Sequence, residues 1–253
     1  MTPWSQAQNY ATAAGVAFRN DAAAALSQLE QAIRRARLAA GGKLGLLRIG
    51  FVSTAGIEIV PDIVRQFKKS NPDVEFSLRN IFTANQAQML ESGSLDLGFL
   101  RMPVGEHAAL DVVTVHREPF VLVVPSSHKL AKKKRVRLRA VAGEDFVMYE
   151  RAFAPGFHDS IYGIFRDAGI APTVSQTAIE IPMLIALVAS GMGITILPAS
   201  AARHSSAAVV ACSIIDRIPM SEIGIAVSKG IRPSVVENFR TFALEKLGQF
   251  RKP

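Results

Sequence analysis

The chain has 253 residues, of which 49% are hydrophobic and 20% charged, and its formal net charge is +8. This composition excludes an intrinsically disordered chain and a disulfide-built miniature, and the length suffices for one large core or two modest ones. The single cysteine, Cys212, cannot form an internal disulfide, and no basic start leads into a long apolar run. We therefore expect a cytoplasmic protein without a signal peptide or membrane span.

Much of the positive charge falls in two clusters, residues 34–37 and residues 129–139. A basic balance raises the non-specific affinity for phosphate groups, but it does not name a site. Because no nucleic-acid recognition module accompanies the clusters, the sequence favours their interpretation as solvated faces.

The amino-terminal part predicts one long helix. Residues 1–10 are polar and aperiodic, and we expect them to be disordered. Residues 11–41 form an alanine-rich unit without proline, which ends at a glycine pair and favours helix. Its apolar residues recur at heptad spacing: Ala22, Leu26, Leu29, Ile33 and Ala36. This narrow stripe packs either on its own domain or on the same helix of a second subunit, and we favour the second subunit.

Two units of alternating strands and helices follow the glycine pair. In the first unit, strands are predicted at 46–52, 74–78, 95–100, 112–115 and 120–124, and helices at 57–70 and 83–91. In the second, strands are predicted at 146–149, 173–177, 193–197, 209–210 and 223–227, and helices at 156–168 and 180–190, before a closing helix at 234–250. The alternation predicts an α/β protein with two Rossmann-like lobes across a cleft. We expect lobe I to hold residues 46–124 plus 226–253, and lobe II residues 125–225.

The sequence lacks the signatures of catalysis and of metal binding. The five histidines do not show the spacing of a metal pair on a helix, and there is no nucleophile elbow, since Ser190 ends a helix instead of joining a strand to a helix. The glycines at 191 and 193 run from a helix into a strand, the reverse of a dinucleotide loop. We therefore expect neither an enzyme nor a metal ion or cofactor.

Small polar groups do occur where strands end and helices begin. Ser53 and Thr54 follow the first strand, Thr83 follows the second, and Pro155 and Gly156 follow the first strand of the second unit. Helix starts present free N–H groups that favour an anion, and ligands of α/β sheets lie at the carboxyl ends of the strands. The alternative is that each hydroxyl is an ordinary helix cap.

Three segments resemble the effector-binding domain of LysR-type transcriptional regulators. They are LRIGFVST at 47–54, GSLDLGFLR at 93–101 and VASGMGITILPAS at 188–200. The helix before them is similar to the dimerising linker helix of that family. The resemblance implies two lobes of the type II periplasmic-binding-protein kind around an effector cleft. Its nearest pattern is that of the regulators that respond to benzoate, muconate and related acids.

The resemblance also implies roles for eight residues. By that similarity, Thr54 and Thr83 hold the effector carboxylate with Ser53 beside them. Pro155, Gly156 and Phe157 match a second-lobe loop that supplies N–H groups and an aromatic wall, with Gly156 in place of a larger polar residue. Arg101 and Glu180 match a charged pair across the cleft, although a plain surface ion pair would contribute little.

The implied function is that of a sensor for a small aromatic or dicarboxylic acid that acts through a homodimer or homotetramer. Ten residues before the linker helix are too few for the family's winged helix-turn-helix, so we expect DNA binding only through such a domain outside this chain. A stand-alone solute-binding protein with two lobes is the main alternative, and an enzyme on the same scaffold is the weakest one.

Overall fold

The computed structural model describes residues 12–105, 108–203 and 205–248, so the predicted disorder of residues 1–10 lies outside the described residues. The helices are α1 (Ala13–Ala40), α2 (Ser53–Glu58), α3 (Val60–Ser70), α4 (Thr83–Glu91), α5 (Pro155–Asp167), α6 (Ile181–Ala189), α7 (Ala199–Arg203) and α8 (Ser234–Gly248). The strands are β1 (Gly45–Phe51), β2 (Val74–Asn80), β3 (Leu97–Arg101), β4 (Leu110–Glu118), β5 (Phe120–Pro125), β6 (Arg135–Val136), β7 (Asp145–Tyr149), β8 (Thr173–Ala178), β9 (Thr195–Pro198), β10 (Val209–Ile214) and β11 (Ser221–Ser228). Within these ranges no helix is both long and apolar enough to cross a membrane.

Helix α1 begins at a cap and ends at the glycine pair. The Thr12 hydroxyl accepts a hydrogen bond from the N–H of Gly15 at 3.2 Å. At the other end, Gly42 adopts φ +67, and Asn238 of α8 donates to the carbonyl of Gly41 at 2.8 Å. The apolar stripe of α1 remains exposed, with Leu26 63% accessible. A single copy of the chain therefore leaves this stripe uncovered.

The first lobe is a five-stranded sheet in the order β2-β1-β3-β11-β4. Strands β1, β2 and β3 run parallel, as the alternating pattern predicts, and β11 is antiparallel to both of its neighbours. Helices α3 and α8 cover one face, where the rings of Phe67 and Phe239 meet edge to face at 5.1 Å. Helix α4 contributes Ala87 and Leu90 to the core on the other face.

The second lobe contains the sheet β6-β10-β5-β9 and the parallel pair β7-β8. A bridge between Phe146 and Ile194 connects the two. Helix α5 places Ile161, Ile164 and Phe165 in one core cluster, and α6 contributes to a second. The expected α/β fold with two lobes is confirmed.

The expected boundary between the lobes is wrong for one strand. We assigned residues 120–124 to lobe I, but Phe120–Pro125 pairs with β9 and β10 of the second lobe. The chain therefore crosses between the lobes at Pro119, and it returns before β11, which begins at Ser221 and not at 226. A buried apolar strand has the same composition in either sheet, so the sequence does not identify the strand with which it pairs.

Candidate functional site

Three helix starts meet where the lobes face each other. Helix α2 starts at Ser53, α4 at Thr83 and α5 at Pro155, and each first turn leaves N–H groups without intrahelical acceptors. The expectation that Thr83 caps α4 is wrong, because Phe82 occupies the cap position. The Thr83 hydroxyl instead accepts a hydrogen bond from the backbone N–H of Arg101 at 3.1 Å. Thr83 therefore ties the start of α4 to the end of β3.

Arg101 is a buried cation at the centre of this region, with 4% of its surface exposed. Its Nη1 donates to Ser221 Oγ at 2.6 Å and its Nη2 donates to Thr54 Oγ1. The guanidinium carbon lies 5.0 Å from the centre of the Phe157 ring, which comes from the second lobe. No carboxylate of the described residues lies within ion-pair distance of this guanidinium, so its contacts are with hydroxyls and an aromatic ring.

Burial lowers the pKa of Arg101 to about 10, and the charge of Glu118 opposes that shift. The group is still protonated at neutral pH, and the positive charge of the site is therefore permanent there. Glu118 itself is 5% exposed and accepts hydrogen bonds from the N–H and the hydroxyl of Ser200, at 2.6 and 2.7 Å.

The expected pair between Arg101 and Glu180 does not form. Glu180 accepts a hydrogen bond from the Ser53 hydroxyl at 2.9 Å, and Asn80 Nδ2 lies 3.5 Å from its other oxygen. The guanidinium of Arg101 is turned toward Thr54 in its own lobe, which keeps it away from Glu180. Glu180 therefore links the lobes through Ser53 and leaves the arginine charge unpaired.

Two cavities adjoin Arg101. The inner one, between the lobes, encloses about 20 Å³, which is room for about one water molecule. The outer one has a volume of about 760 Å³ and lies between the start of α4, the loop at 103–105 and α5. Thr83, Arg101 and Phe157 line both cavities. The outer volume falls within the range of about 300–1,000 Å³ that is usual for small-molecule sites.

The structure places the eight predicted residues as follows. Ser53 lines the inner cavity, Pro155 and Gly156 line the outer one, and Thr83, Arg101 and Phe157 line both. Thr54 and Glu180 line neither of these two cavities and reach the site through their hydrogen bonds to Arg101 and Ser53. The predicted hydroxyls therefore do converge on one crevice, but Thr54 faces the arginine rather than open space.

At Gly156 the start of α5 lies close against the first-lobe loop that follows β3. A Cβ at this position would lie 2.0 Å from the carbonyl oxygen of Pro103, a distance that no side chain tolerates. The larger polar residue expected from the resemblance would not fit between the lobes as they stand. Glycine here allows the start of α5 to close directly onto the loop of the first lobe.

Sequence reasoning missed two residues of the site. Ser221 binds Arg101 from β11, 120 positions away along the chain, and no local pattern marks it. Tyr149 lines the inner cavity at the end of β7. Burial and the charge of Glu180 raise the pKa of Tyr149 to about 12, while Arg101 opposes the shift. Tyr149 therefore faces the cavity as a neutral phenol, and its place as the last residue of an apolar strand was the available signal.

The described residues contain no group of three or more His, Cys, Asp or Glu side chains that could hold a metal ion. The hydrogen-bond donors of the site are hydroxyls, backbone amides and one guanidinium, and its carboxylate, Glu180, accepts from the Ser53 hydroxyl. Such donors suit an organic anion.

Comparison with known proteins identifies the family. The LysR substrate binding domain matches residues 40–248. The chain is 36% identical over 190 residues to the HTH-type transcriptional regulator AlsR of Bacillus subtilis, covering 75% of this chain and 63% of AlsR. It is 34% identical over 238 residues to the uncharacterized HTH-type regulator YnfL of Escherichia coli, covering 93% of this chain and 80% of YnfL. These relatives are transcriptional regulators and not enzymes.

Solved structures agree with this result. The LysR family regulator CbnR superposes with a TM-score of 0.81 at 27% identity, covering 92% of this chain and 80% of CbnR. The effector binding domain of BenM with benzoate gives a TM-score of 0.71 at 23% identity, covering 82% of this chain and 95% of that domain, which shows the shared fold. The chain belongs to the LysR family of transcriptional regulators and contains its substrate-binding domain.

Proposed function

We infer that this chain senses a small organic acid, which binds between the lobes beside Arg101 and changes how subunits pack. The observation that carries this inference is a guanidinium that is 4% exposed and has no carboxylate in contact with it. Burying a charge without a paired counter-ion is costly, and an incoming anion offsets that cost.

The donors around Arg101 suit a carboxylate. Residues at the starts of α4 and α5, Thr83 and Gly156 among them, line the outer cavity, and helix starts favour negative charge. Hydrogen bonds to an ionised group are about twice as strong as those between neutral groups. A carboxylate at this point would therefore contact both lobes at once.

The outer cavity favours an aromatic acid over a dicarboxylic one. Its walls include Ala84, Pro103 and Val104, which are apolar. The further cation in its lining, Arg166, already lies 3.3 Å from Asp167 and has its charge balanced there. A single carboxylate at Arg101 with an apolar body in the outer cavity fits this distribution of charge.

The proposed signal passes to a second subunit through α1. Its exposed stripe, with Leu29 57% and Ile33 43% accessible, has the heptad spacing of a two-helix contact. We place the protein in the cytoplasm as a homodimer or homotetramer, with DNA bound through a winged helix-turn-helix domain. Light scattering should then show a dimer or larger species at micromolar concentration, whereas a monomer would favour a stand-alone solute-binding protein.

The test of the binding site uses benzoate, benzyl alcohol and the variant Arg101→Gln in calorimetry and thermal unfolding. Benzoate should bind and raise the melting temperature, because a ligand of the folded state stabilises it. Benzyl alcohol, which has the same ring and no charge, should not. Arg117→Gln is the matched control, since Arg117 of β4 is an exposed arginine that pairs with Glu222 of β11. Equal binding of benzoate by Arg101→Gln and by the wild type would refute the proposed site.

A further inference from the structure

The net charge of this chain is concentrated in one segment, residues 129–139, which we call the basic segment. It contains four lysines, three arginines and no acidic residue. Subtracting these seven charges from the net +8 leaves +1 for the rest of the chain. The excess charge is therefore a local feature and not a property of the whole surface.

The fold presents these cations outward on an anchored piece of backbone. Leu130, Val136 and Leu138 are buried and attach the segment to the core of the second lobe. Asp216 accepts a hydrogen bond from the N–H of Leu138 at 2.8 Å, which fixes the backbone further. The seven cationic residues are all exposed: Lys129, Lys132, Lys133, Lys134, Arg135, Arg137 and Arg139.

Six of the seven cations form no ion pair among the described residues. Lys129 pairs with Glu144 at 2.6 Å. The side chains of the other six make neither an ion pair nor a hydrogen bond within the part of the chain that the structure describes. These like charges repel one another, so the binding of a polyanion lowers the electrostatic free energy of the segment.

The basic segment is independent of the effector cleft. Strand β6 is the outer strand of the sheet β6-β10-β5-β9, and none of the seven residues lines either cavity beside Arg101. A function of the segment is therefore separate from the binding of an acid.

The chemistry of this surface fits nucleic-acid phosphate better than a protein. Protein interfaces are centred on apolar and aromatic anchors, and here the large apolar side chains of the segment are buried. Protein–DNA interfaces are polar and strongly positive, and duplex DNA offers about one negative charge per 1.7 Å of its axis. The structure of the LysR family regulator CbnR has been solved in complex with its target DNA, so a member of this family binds DNA.

We propose that the basic segment binds the phosphate backbone of duplex DNA. The contact is independent of base sequence, because phosphate contacts position a protein on DNA and base contacts specify the site. It would add to the contacts of a winged helix-turn-helix and strengthen binding without changing which sequence is read.

The experiment measures binding of the 253-residue chain to a 30-base-pair duplex of arbitrary sequence, by fluorescence anisotropy across a range of NaCl concentrations. The test variant is K132Q/K133Q/K134Q/R135Q. The control is R19Q/K69Q/R79Q/K229Q, which removes the same charge from exposed cations of α1 and the first lobe. A second variant, R137Q/R139Q, repeats the test at two other exposed positions.

The logarithm of the binding constant should fall with the logarithm of the salt concentration with a slope of about −5 to −6 for the wild type. The test variant should lose about 3 to 4 units of that slope and at least about tenfold in affinity at 50 mM NaCl. The R137Q/R139Q variant should lose about 2 units, and the control should keep nearly the wild-type slope.

Three results would overturn the proposal. The first is no binding of the wild type to the duplex at 20 mM NaCl. The second is an equal loss in the test and control variants, which would show that net charge and not this segment matters. The third is a polyglutamate of matched charge that binds more tightly than the duplex, which would identify an acidic protein as the partner.

Discussion

Replacing Thr83 with valine tests whether the buried hydroxyl serves both the stability of the fold and the binding of an acid. The Thr83 oxygen accepts the backbone N–H of Arg101 at 3.1 Å, and the residue is 6% exposed. A hydroxyl has one O–H to donate besides its accepting lone pairs. Thr83 lines both cavities, so that O–H is available to an anion placed there. Valine keeps the shape of the side chain and removes both functions.

The losses of stability and of benzoate affinity can both be estimated from these contacts. In Thr83→Val the buried N–H of Arg101 loses its acceptor, which costs about 1–3 kcal/mol of stability. A loss of about 2 kcal/mol corresponds to a melting temperature lower by roughly 4–8 °C in a chain of this size. The missing hydrogen bond to a carboxylate costs about 1.5–3 kcal/mol, which weakens benzoate binding by about 10- to 150-fold.

Thermal unfolding without ligand and calorimetry with benzoate, well below the melting temperature, measure the two effects separately. Thr83→Ser is the matched control, because serine keeps the hydroxyl and drops the methyl group. It should retain most of the affinity and most of the stability. If valine binds benzoate as the wild type does, the hydroxyl does not contact the acid. If serine fails as valine does although it keeps the hydroxyl, loss of the hydroxyl does not explain the effect.

Three further outcomes are expected. Glu180→Ala frees the Ser53 hydroxyl and removes a negative charge near the anion site, so calorimetry should show benzoate affinity increased severalfold, and an unchanged or lower affinity would contradict this reading. Gly156→Ala places a Cβ 2.0 Å from the first-lobe loop, so the lobes must separate, and small-angle scattering should show a larger radius of gyration. Gly163→Ala should match the wild type, because its Cβ would make only an ordinary contact with the Arg166 side chain at 3.8 Å. The folded chain holds the Tyr149 proton between pH 10 and about 12 while the unfolded chain releases it, so stability from this residue is present below pH 10 and lost as the pH rises toward 12. Urea unfolding across this range should therefore show a steeper fall for the wild type than for Tyr149→Phe, and equal slopes would mean that Tyr149 is not buried as a phenol.

The order of strands and helices could be predicted from the sequence because local patterns carry it. The parallel strands of the first lobe and helix α1 begin and end within a few residues of the predicted bounds. The predicted helix at 57–70 is in fact two, since α2 starts directly at Ser53 and a break at Ile59 separates it from α3. Strand β6 was not predicted, because two residues inside a run of cations give no periodicity.

The site could be predicted in part for a similar reason. Hydroxyls that follow strands, such as Ser53 and Thr83, are recognisable because parallel strands end at one edge of a sheet. The direction in which a long side chain points is not determined by the neighbouring sequence. Arg101 turns toward Ser221 and Thr54 because those hydroxyls lie beside it in the folded lobe, and only the fold brings β11 next to β3.

The polar contacts between the two lobes differ in burial. Glu118, which is buried, accepts two hydrogen bonds from Ser200 of α7, at 2.6 and 2.7 Å. Other contacts are more exposed: Ser53 to Glu180 at 2.9 Å and Glu58 to Arg203 at 3.0 Å, with the tilted rings of Phe82 and Phe153 at 4.6 Å. Exposed pairs contribute little each, about 0–1 kcal/mol. A carboxylate that gains hydrogen bonds at the unpaired Arg101 supplies comparable or greater free energy. Differential binding of about 1–3 kcal/mol, typical of allosteric coupling, is then enough to change the balance between lobe arrangements.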